Sequence, residues 1–415
     1  MNSFSSFKSR DRLTSNNPKI TKIYVLNNNS CDMDSFICSV LLSTCRNVKE
    51  NIIYLENDSS EVLLNDKMIF NKDSDKIYLP LMNCKRGELR TRLDIDFVLK
   101  YFKIDENEFY YVNDVEVIYD LHNSLANLIL VDHNILDPTQ ISFTPLVKEI
   151  YDHHNDVNSS NISYKNLKKK SLQYPMGSCS TLILLDFYLS DKNVRRILKK
   201  YFDPLFLIAA ILLDTDNFKK EFHLVRWIDL DFYVYKKIVD DIIDVEGVDK
   251  REQVKEFYKK LTNAKFDETA NLYLGVDSLM NKDMKSFKWG NVTSYWSSLQ
   301  IGLKSITSMY GWNCVISHFE NYLSSKENIS LPLYVTLSGY LEKLNGLKII
   351  MIYDYLEKIE FSNFQNFLVK ELGANMKNLK YKKNYNNKII KIYVDKIYSR
   401  KLLEPILCKY FENLN

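Results

Sequence analysis

Short apolar runs alternate with stretches of helical periodicity through the first half of the chain. The apolar runs are typical of buried strands, and they cover residues 22–26, 51–55, 76–81, 128–131 and 147–151. The helix-period stretches cover residues 36–45, 94–102, 180–189 and 204–213. This alternation predicts an α/β fold with a parallel sheet and helices on both of its faces. In such sheets, ligands bind beyond the carboxyl ends of the strands.

The pattern is less regular in the second half. Charged residues and helix-period apolar residues fill residues 221–267, which predicts a helix followed by a linker. Beyond this segment, strands are predicted over 294–301, 333–337, 347–352 and 388–394, and helices over 314–324 and 361–372. These elements indicate a smaller mixed α/β domain. We therefore divide the chain into a tail (1–20), a parallel-sheet domain (21–235), a helical linker (236–269) and a second domain (270–415).

Composition and charge limit the function classes. The chain has 415 residues, which favours two domains, and its net charge of +3 argues against a general nucleic-acid binder. The seven cysteines form no C-x-x-C pair and are typical of reduced thiols in a cytoplasmic protein. No apolar run is long enough to cross a membrane. The Ser-rich start lacks the apolar segment of a secretory signal, so we interpret it as a tail rather than a weak mitochondrial presequence.

Acidic and imidazole groups gather where the predicted elements end. Four clusters contain them, namely residues 27–35, 132–134, 152–154 and 214–217. Carboxylates brought together at one edge of a sheet repel each other unless they are protonated or bind cations. Carboxylates with a few imidazoles suit Mg²⁺, Mn²⁺ or Co²⁺, and one carboxylate can bridge two ions roughly 3.5–4 Å apart. Asp32 and Asp34 are two residues apart, so each could face a different ion, although Asp32 could also simply cap the following helix.

Seven motifs in order resemble the DHH phosphoesterase superfamily, in the subfamily with a DHHA2-type second domain. That subfamily contains family II inorganic pyrophosphatases, prune-type proteins and fungal-type exopolyphosphatases. The motifs are NNSCDMDS (28–35), LVDHN (130–134), YDHHND (151–156), GSCSTLI (177–183), ILLDTDNF (211–218), NKDMKSF (281–287) and SRKLLEPIL (399–407). The resemblance implies a catalytic domain, a substrate-binding second domain and an active site in the cleft between them.

The resemblance also assigns roles to individual residues. Asp32 would bind the first of two metal ions, Asp34, His153 and Asp214 would bind the second, and Asp132 would bridge both. His154 would hydrogen-bond the scissile phosphate, and Asp152 would orient its neighbours. The phosphate chain would be held by three cations of the second domain, Lys285, Arg400 and Lys401.

Asn28 departs from the pyrophosphatase pattern, which has a histidine at this position, and matches the exopolyphosphatase branch. An amide oxygen there would be a weak metal ligand and would favour Mg²⁺. The segment 82–94 also resembles that branch, and its Arg86, Arg90 and Arg92 could extend a basic track for a polyanion or form an ordinary charged helix start. Gly177 and Ser178 open a predicted helix, so their backbone N–H groups could bind an anion or form a simple cap.

These observations predict an exopolyphosphatase that acts as a monomer on inorganic polyphosphate, without nucleic-acid or membrane partners. Two metals would activate a water that attacks the terminal phosphorus, with His154, Lys285, Arg400 and Lys401 stabilising the transferring group. The alternatives are a pyrophosphatase, a prune-like phosphodiesterase and a non-catalytic interaction protein on the same scaffold. A RecJ-type nuclease is disfavoured because the SRK motif stands where such nucleases carry a glycine-rich motif.

Overall fold

The computed structural model describes residues 20–53, 69–70, 75–156, 164, 166–173, 175–242, 249–325, 331–338, 347–356, 359–372, 389–395, 398 and 400–412. Nearly all of the predicted tail, the last two residues of the strand predicted at 51–55, Ser399 and the side chain of Lys401 lie outside this description. The chain divides into two compact units, Met1–Ala264 and Lys265–Asn415.

The first unit contains the predicted parallel sheet. Its strands in chain order are β1 (Thr21–Leu26), β2 (Ile52–Ile53), β3 (Ile69–Phe70), β4 (Lys76–Met82), β5 (Tyr110–Tyr111), β6 (Ala126–Val131), β7 (Val147–Asp152) and β8 (Lys169–Leu172). Six of them form one sheet in the order β5-β4-β1-β6-β7-β8, in which every pair is parallel. The strands β2 and β3 form a separate antiparallel pair. The predicted fold class of this unit is therefore confirmed.

Helices cover both faces of this sheet. They are α1 (Met33–Asn51), α2 (Leu93–Tyr101), α3 (Val115–His122), α4 (Cys179–Ile183), α5 (Lys192–Tyr201), α6 (Pro204–Asp214), α7 (Asp229–Val239) and α8 (Lys250–Lys265). A π-helical turn, Leu184–Leu189, continues α4. Strand β1 shows why the central strands are uninterrupted apolar runs, since Ile23 and Val25 belong to one core and Tyr24 and Leu26 to the core on the opposite face.

The register of the sheet brings the polar loops together. Leu26, the last residue of β1, pairs with Leu130 of β6, and Val131 pairs with Tyr151 of β7. Because these strands are parallel neighbours, the segments that follow them leave the same edge of the sheet. Three of the four acidic clusters predicted from the sequence, those that follow β1, β6 and β7, are therefore adjacent in the fold.

The second unit is a mixed α/β domain, as predicted. Its strands are β9 (Met284–Trp289), β10 (Val292–Leu299), β11 (Leu331–Ser338), β12 (Leu347–Asp354) and β13 (Ile389–Asp395), and its sheet has the order β13-β12-β11-β10-β9. Only the β10–β11 pair is parallel. Its helices are α9 (Glu268–Leu272), α10 (Val276–Asn281), α11 (Leu303–Ser324), α12 (Phe361–Leu372) and α13 (Arg400–Phe411).

Several elements of this unit differ from the sequence prediction, and the helices α9, α10 and α13 were not among the predicted elements. Strand β9 was not predicted, and it pairs with β10 through a turn at Gly290, which has a positive φ of 56°. Helix α11 begins well before the predicted 314, and Gly311 interrupts it with φ 79°. In the part of the chain that the structure describes, no helix combines the length and apolarity needed to cross a membrane.

A buried histidine links α11 to the sheet of the second unit. His318 Nδ1 lies 2.5 Å from the exposed carboxylate of Asp277, and its Nε2 lies 3.1 Å from the hydroxyl of Tyr334. Burial lowers the pKa of His318 below its ordinary value, and the contact with Asp277 offsets this only in part.

We therefore expect the second unit to lose stability as the pH falls. Because the folded-state pKa of His318 lies below its unfolded value of about 6.5, the unfolded chain binds more protons once the pH drops below that value. In a Trp227→Phe background, the remaining three tryptophans all lie in the second unit and report its urea midpoint. The urea midpoint should be lower at pH 5.5 than at pH 7.5, and this decrease should be smaller in His318→Gln. An equal fall in both proteins would contradict this assignment.

Candidate metal centre

The loop after β1 contributes an acceptor-rich cluster. Asp32 accepts hydrogen bonds from the Ser30 hydroxyl (2.9 Å) and from the backbone N–H of Ser35 (3.1 Å), so it does cap α1. The amide nitrogen of Asn28 donates to Asp132 (2.7 Å) and lies 3.4 Å from Asp32, whereas its oxygen accepts from Ser30 (2.8 Å). Asn28 therefore supports the carboxylates through its N–H group. Its prediction as a weak metal ligand stays a prediction.

Asp132 lies at the centre of the cluster. It follows β6 in the left-handed conformation, with φ 59°, and is almost fully buried. Its backbone N–H donates to the carbonyl of Tyr151 (2.9 Å), which fixes the turn. Its Oδ1 lies 3.2 Å from Nε2 of His153 and 3.6 Å from Nδ1 of His154. A non-glycine residue held in this conformation at a strand end is typical of a functional position.

His153 presents one ring nitrogen to the carboxylates. Its Nδ1 lies 2.9 Å from the carbonyl oxygen of Met176, and since a carbonyl only accepts, Nδ1 carries the proton. The other nitrogen, Nε2, lies 3.2 Å from Asp132 and 3.9 Å from Asp34. A carbonyl that fixes the tautomer in this way is the usual partner of a metal-binding histidine.

Asp34 is held by the start of α4. Its Oδ1 accepts from the hydroxyl (2.7 Å) of Ser178 and from the N–H (2.9 Å) and hydroxyl of Ser180. Its Oδ2 accepts from the N–H of Cys179 (2.6 Å) and faces His153. The anion bound by this helix start is thus a carboxylate of the protein itself, and Oδ2 is the oxygen that remains turned toward the cluster.

Gly177 permits this close packing. A Cβ at this position would lie 2.5 Å from the carbonyl oxygen of Arg226, too close for any side chain. The N–H of Gly177 donates to the buried Asp231 (2.9 Å), which also accepts from the hydroxyl of Thr181 (2.7 Å). The segment from Arg226 to Asp231, at the beginning of α7, therefore packs against the start of α4 and holds it in place.

Asp152 and His154 form a hydrogen-bonded pair next to Asp132. Oδ1 of the buried Asp152 lies 2.7 Å from Nδ1 of His154, and Oδ2 accepts from the amide of Asn134 (2.6 Å). Burial alone would raise the pKa of Asp152, but the hydrogen bond with His154 and the nearby imidazoles outweigh it and lower this pKa. Asp152 therefore stays ionised and orients His154, whose side chain is about a quarter exposed.

Asp214, the last residue of α6, completes the cluster. Burial raises its pKa well above the ordinary range, and the negative charges of Asp34, Asp32 and Asp132 raise it further, while His153 opposes them. Its Oδ2 is buried and accepts no hydrogen bond from any described residue. A divalent cation would satisfy this oxygen and offset the repulsion. The residues therefore fit a metal site, and ligand atoms of Asp132, His153 and His154 lie within 4.8 Å of one another.

Two of the three arginines of the predicted basic track have carboxylate partners. Arg86 binds Asp114 through two contacts, and Arg90 binds both Glu106 and Asp96 at 2.7 Å. Arg92 is buried at the start of α2. The structure places all three in the first unit, and their prediction as substrate contacts stays a prediction.

The second-unit cations lie on two elements. Lys285 is a partly exposed residue of β9 opposite Trp296. Arg400 begins α13, and its guanidinium donates to the carbonyl (2.9 Å) and the carboxylate (3.0 Å) of Asp283. Their predicted contacts with phosphate stay predictions. The groups that hold Asp34 and His153 were not predicted from the sequence; they are Ser178, Ser180 and Met176. The GSCST motif was the signal that could have found them.

Residues 22–209 match the family model described as DHH family, N-terminal domain. Exopolyphosphatase PRUNE1 of Rattus norvegicus is 25% identical over 270 residues, which are 63% of this chain and 48% of the rat protein. A Schizosaccharomyces pombe protein assigned as an exopolyphosphatase is 25% identical over 311 residues, 73% of this chain and 70% of that protein. The chain thus spans about half the length of the mammalian relative.

A crystal structure of a Methanococcus jannaschii protein, assigned as a family II inorganic pyrophosphatase, has the same fold. The TM-score is 0.59 at 17% sequence identity, and the match covers 95% of this chain and all of that one. This likeness confirms the predicted fold class, and the family match confirms the predicted resemblance to the DHH family for residues 22–209.

Proposed function

We propose that this chain, which carries a DHH-family domain over residues 22–209, is a metal-dependent hydrolase that removes terminal orthophosphate from inorganic polyphosphate. One observation carries the proposal. At the carboxyl edge of a parallel sheet, the carboxylates of Asp34 and Asp132 lie 3.9 and 3.2 Å from Nε2 of His153, and their charges raise the pKa of the buried Asp214. The names of the relatives from rat and fission yeast support the choice of substrate.

The residues of the first unit would hold two divalent cations, Mg²⁺ or alternatively Mn²⁺ or Co²⁺. Asp32 would serve the first, Asp34 (through Oδ2), His153 and Asp214 the second, and Asp132 both. When bound, the cations would supply a water of lowered pKa and neutralise charge on the phosphate.

The remaining roles belong to side chains of the protein. His154, which Asp152 orients and which is partly exposed, would donate a hydrogen bond to the terminal phosphate. Lys285, Arg400 and Lys401 would stabilise the charge that develops on the transferring group. To bind the phosphate, Arg400 would have to give up its hydrogen bond with the carboxylate of Asp283.

A shorter phosphate substrate is the second candidate. Carboxylates neutralise Arg86 and Arg90, so these arginines add little attraction for the distant part of a long polyphosphate. An assay of phosphate release distinguishes the two, with long-chain polyphosphate, pyrophosphate and a cyclic nucleotide compared in parallel in Mg²⁺ and in Mn²⁺. Release fastest from polyphosphate supports the proposal. Faster release from pyrophosphate would instead indicate a pyrophosphatase. Cleavage of the cyclic nucleotide alone would indicate a phosphodiesterase.

Asn28→His should shift the metal preference toward Mn²⁺ and Co²⁺. The side chain of Asn28 contacts both Asp32 and Asp132, so an imidazole there can add a nitrogen ligand that these ions prefer to an amide. We expect Mn²⁺ affinity to rise on the order of tenfold by isothermal titration. Asn29→His, on the exposed neighbour in the same loop, is the matched control. Equal titrations for the two variants would show that position 28 does not contact the ion.

A further inference from the structure

The turn that follows Asp214 has an unfavourable backbone conformation. Asp216, Asn217 and Phe218 are consecutive, and all three have positive φ, of 50°, 52° and 57°. The left-handed conformation is unfavourable for any residue with a side chain, and most of all for three in a row. Such a turn persists only where neighbouring groups hold it. The contacts that hold this turn therefore also fix the chain immediately after Asp214.

The carboxylate of Asp216 makes these contacts. Its Oδ1 accepts a hydrogen bond from the hydroxyl of Tyr258 at 2.6 Å. Its Oδ2 accepts from the ammonium of Lys219 at 2.8 Å and lies 4.0 Å from the guanidinium of Arg226. Hydrogen bonds to a charged acceptor are stronger than those between neutral groups. Asp216 is thus the residue through which the rest of the first unit holds the turn.

Arg226 connects the same turn with the segment that holds Asp34. Its guanidinium donates to the carbonyl of Leu213 (3.2 Å), the residue before Asp214. Its own backbone carbonyl lies against Gly177, next to the α4 donors that bind Asp34. The supports of two candidate metal ligands therefore share a neighbour, so movement of the turn would be felt at both.

Tyr258 brings helix α8 to the turn. The inner face of α8 is anchored in the core of the first unit by the buried Val254, Phe257 and Leu261. Tyr258 is partly buried beside them, and its hydroxyl reaches Asp216 from 42 positions further along the chain. Helix α8 is also the last element of the first unit, which ends at Ala264. The hydrogen bond therefore joins the candidate metal centre to the helix that leads into the second unit.

We propose that Asp216 is a positioning residue for the metal centre and that its hydrogen bond from Tyr258 couples helix α8 to metal affinity. Without this bond the left-handed turn relaxes, the end of α6 shifts, and Asp214 presents its buried Oδ2 less accurately to a cation. Coupling of this kind is reciprocal, so a cation at Asp214 also stabilises α8. The inference rests on the metal centre of the proposed function.

Titration of Mn²⁺ into Tyr258→Phe is the first test. The variant keeps the ring and loses only the hydroxyl, and we expect roughly fivefold weaker Mn²⁺ binding with a thermal midpoint in chelator close to that of the wild type. A role in folding alone would lower the midpoint and leave the Mn²⁺ affinity unchanged. Tyr235→Phe is the matched control, because the Tyr235 ring contacts Phe218 of the same turn but its hydroxyl bonds no described residue.

A second background shows whether Tyr258 acts through Asp216. Asp216→Gly removes the carboxylate, and glycine adopts a φ of 50° without strain. This variant should itself bind Mn²⁺ more weakly. Adding Tyr258→Phe to Asp216→Gly should cause no further loss. A full additional loss in the double variant would show that Tyr258 acts by another route.

Hydrogen exchange followed by mass spectrometry measures the reciprocal effect in the full-length protein. Mn²⁺ should slow exchange across α8 in the wild type, and it should do so much less in Tyr258→Phe and in Asp216→Gly. Helix α5 is the internal comparison and should respond to Mn²⁺ equally in all three proteins.

Two results would overturn the proposal. One is equal Mn²⁺ affinity of the wild type and Tyr258→Phe, and the other is equal protection of α8 by Mn²⁺ in both. A wild type that binds no Mn²⁺ would refute the metal centre and the coupling together. Because none of these measurements needs a substrate, coupling without polyphosphate hydrolysis would refute the proposed substrate and leave the role of Asp216 standing.

Discussion

Asp132→Asn is expected to lower the rate of polyphosphate hydrolysis by on the order of 10²–10³-fold while the protein stays folded. The carboxylate of Asp132 lies 3.2 Å from Nε2 of His153 and accepts from Asn28, so it is the group best placed to serve two ions. The asparagine keeps the volume of the side chain but removes its charge. The measurements are kcat with Mg²⁺ and with Mn²⁺, and the thermal midpoint.

Metal-free protein gives this prediction a second readout. Because the charges of Asp34 and Asp132 act unfavourably on the buried carboxyl of Asp214, removing the charge of Asp132 should keep or raise the thermal midpoint in chelator. The matched control is Asp156→Asn in the same motif, whose exposed carboxylate pairs with Lys170. It should leave both activity and midpoint near those of the wild type. Near-normal turnover of Asp132→Asn would show that the ligand assignment is wrong.

Arg400→Ala should reduce kcat/KM on the order of 100-fold and leave Mn²⁺ binding unchanged. A guanidinium that binds phosphate in the transition state contributes a few kcal/mol, which corresponds to about that factor. Arg400→Lys retains the charge but loses the paired donors, so it should recover only part of the loss.

The control for this prediction lies on the same helix. Lys409 of α13 is exposed and pairs with Glu371, so Lys409→Ala removes a positive charge of the second unit away from Arg400. Its kinetics should match the wild type. If Arg400→Ala and Lys409→Ala had the same kinetics, α13 would contribute no substrate contact.

The four central strands of the parallel sheet were predictable from the sequence because they are largely buried on both faces. In β1, every residue from Ile23 to Leu26 packs into a core, so an unbroken apolar run marks the strand. The edge strand β8 carries Lys169 and Lys170 and is largely exposed, so no apolar pattern marks it. Strand β9 has the exposed Ser286 and Lys288 among its apolar residues, so it lacks the unbroken apolar run of the central strands. Helix α13 contains Pro405, which argues against a helix in sequence.

The positions of the site residues followed from the sequence, but their partners did not. Asp132 and His153 could be placed at one sheet edge because they directly follow β6 and β7. The donors that hold Asp34 come from residues nearly 150 positions later, and no local pattern indicates that pairing. The same holds for Arg90, whose charge looked available for substrate until the fold placed Glu106 beside it.

Gly177 gives the candidate metal centre a distinct mutational sensitivity. The gap between Gly177 and the carbonyl of Arg226 leaves no space for even a methyl group. A saturation library at position 177 should therefore return glycine almost exclusively, whereas Gly87, which has open space around it, is limited only by its positive φ. Tolerated exchanges at 177 should appear only with compensating changes near position 226. Homologous chains that diverge here should thus change at both places together.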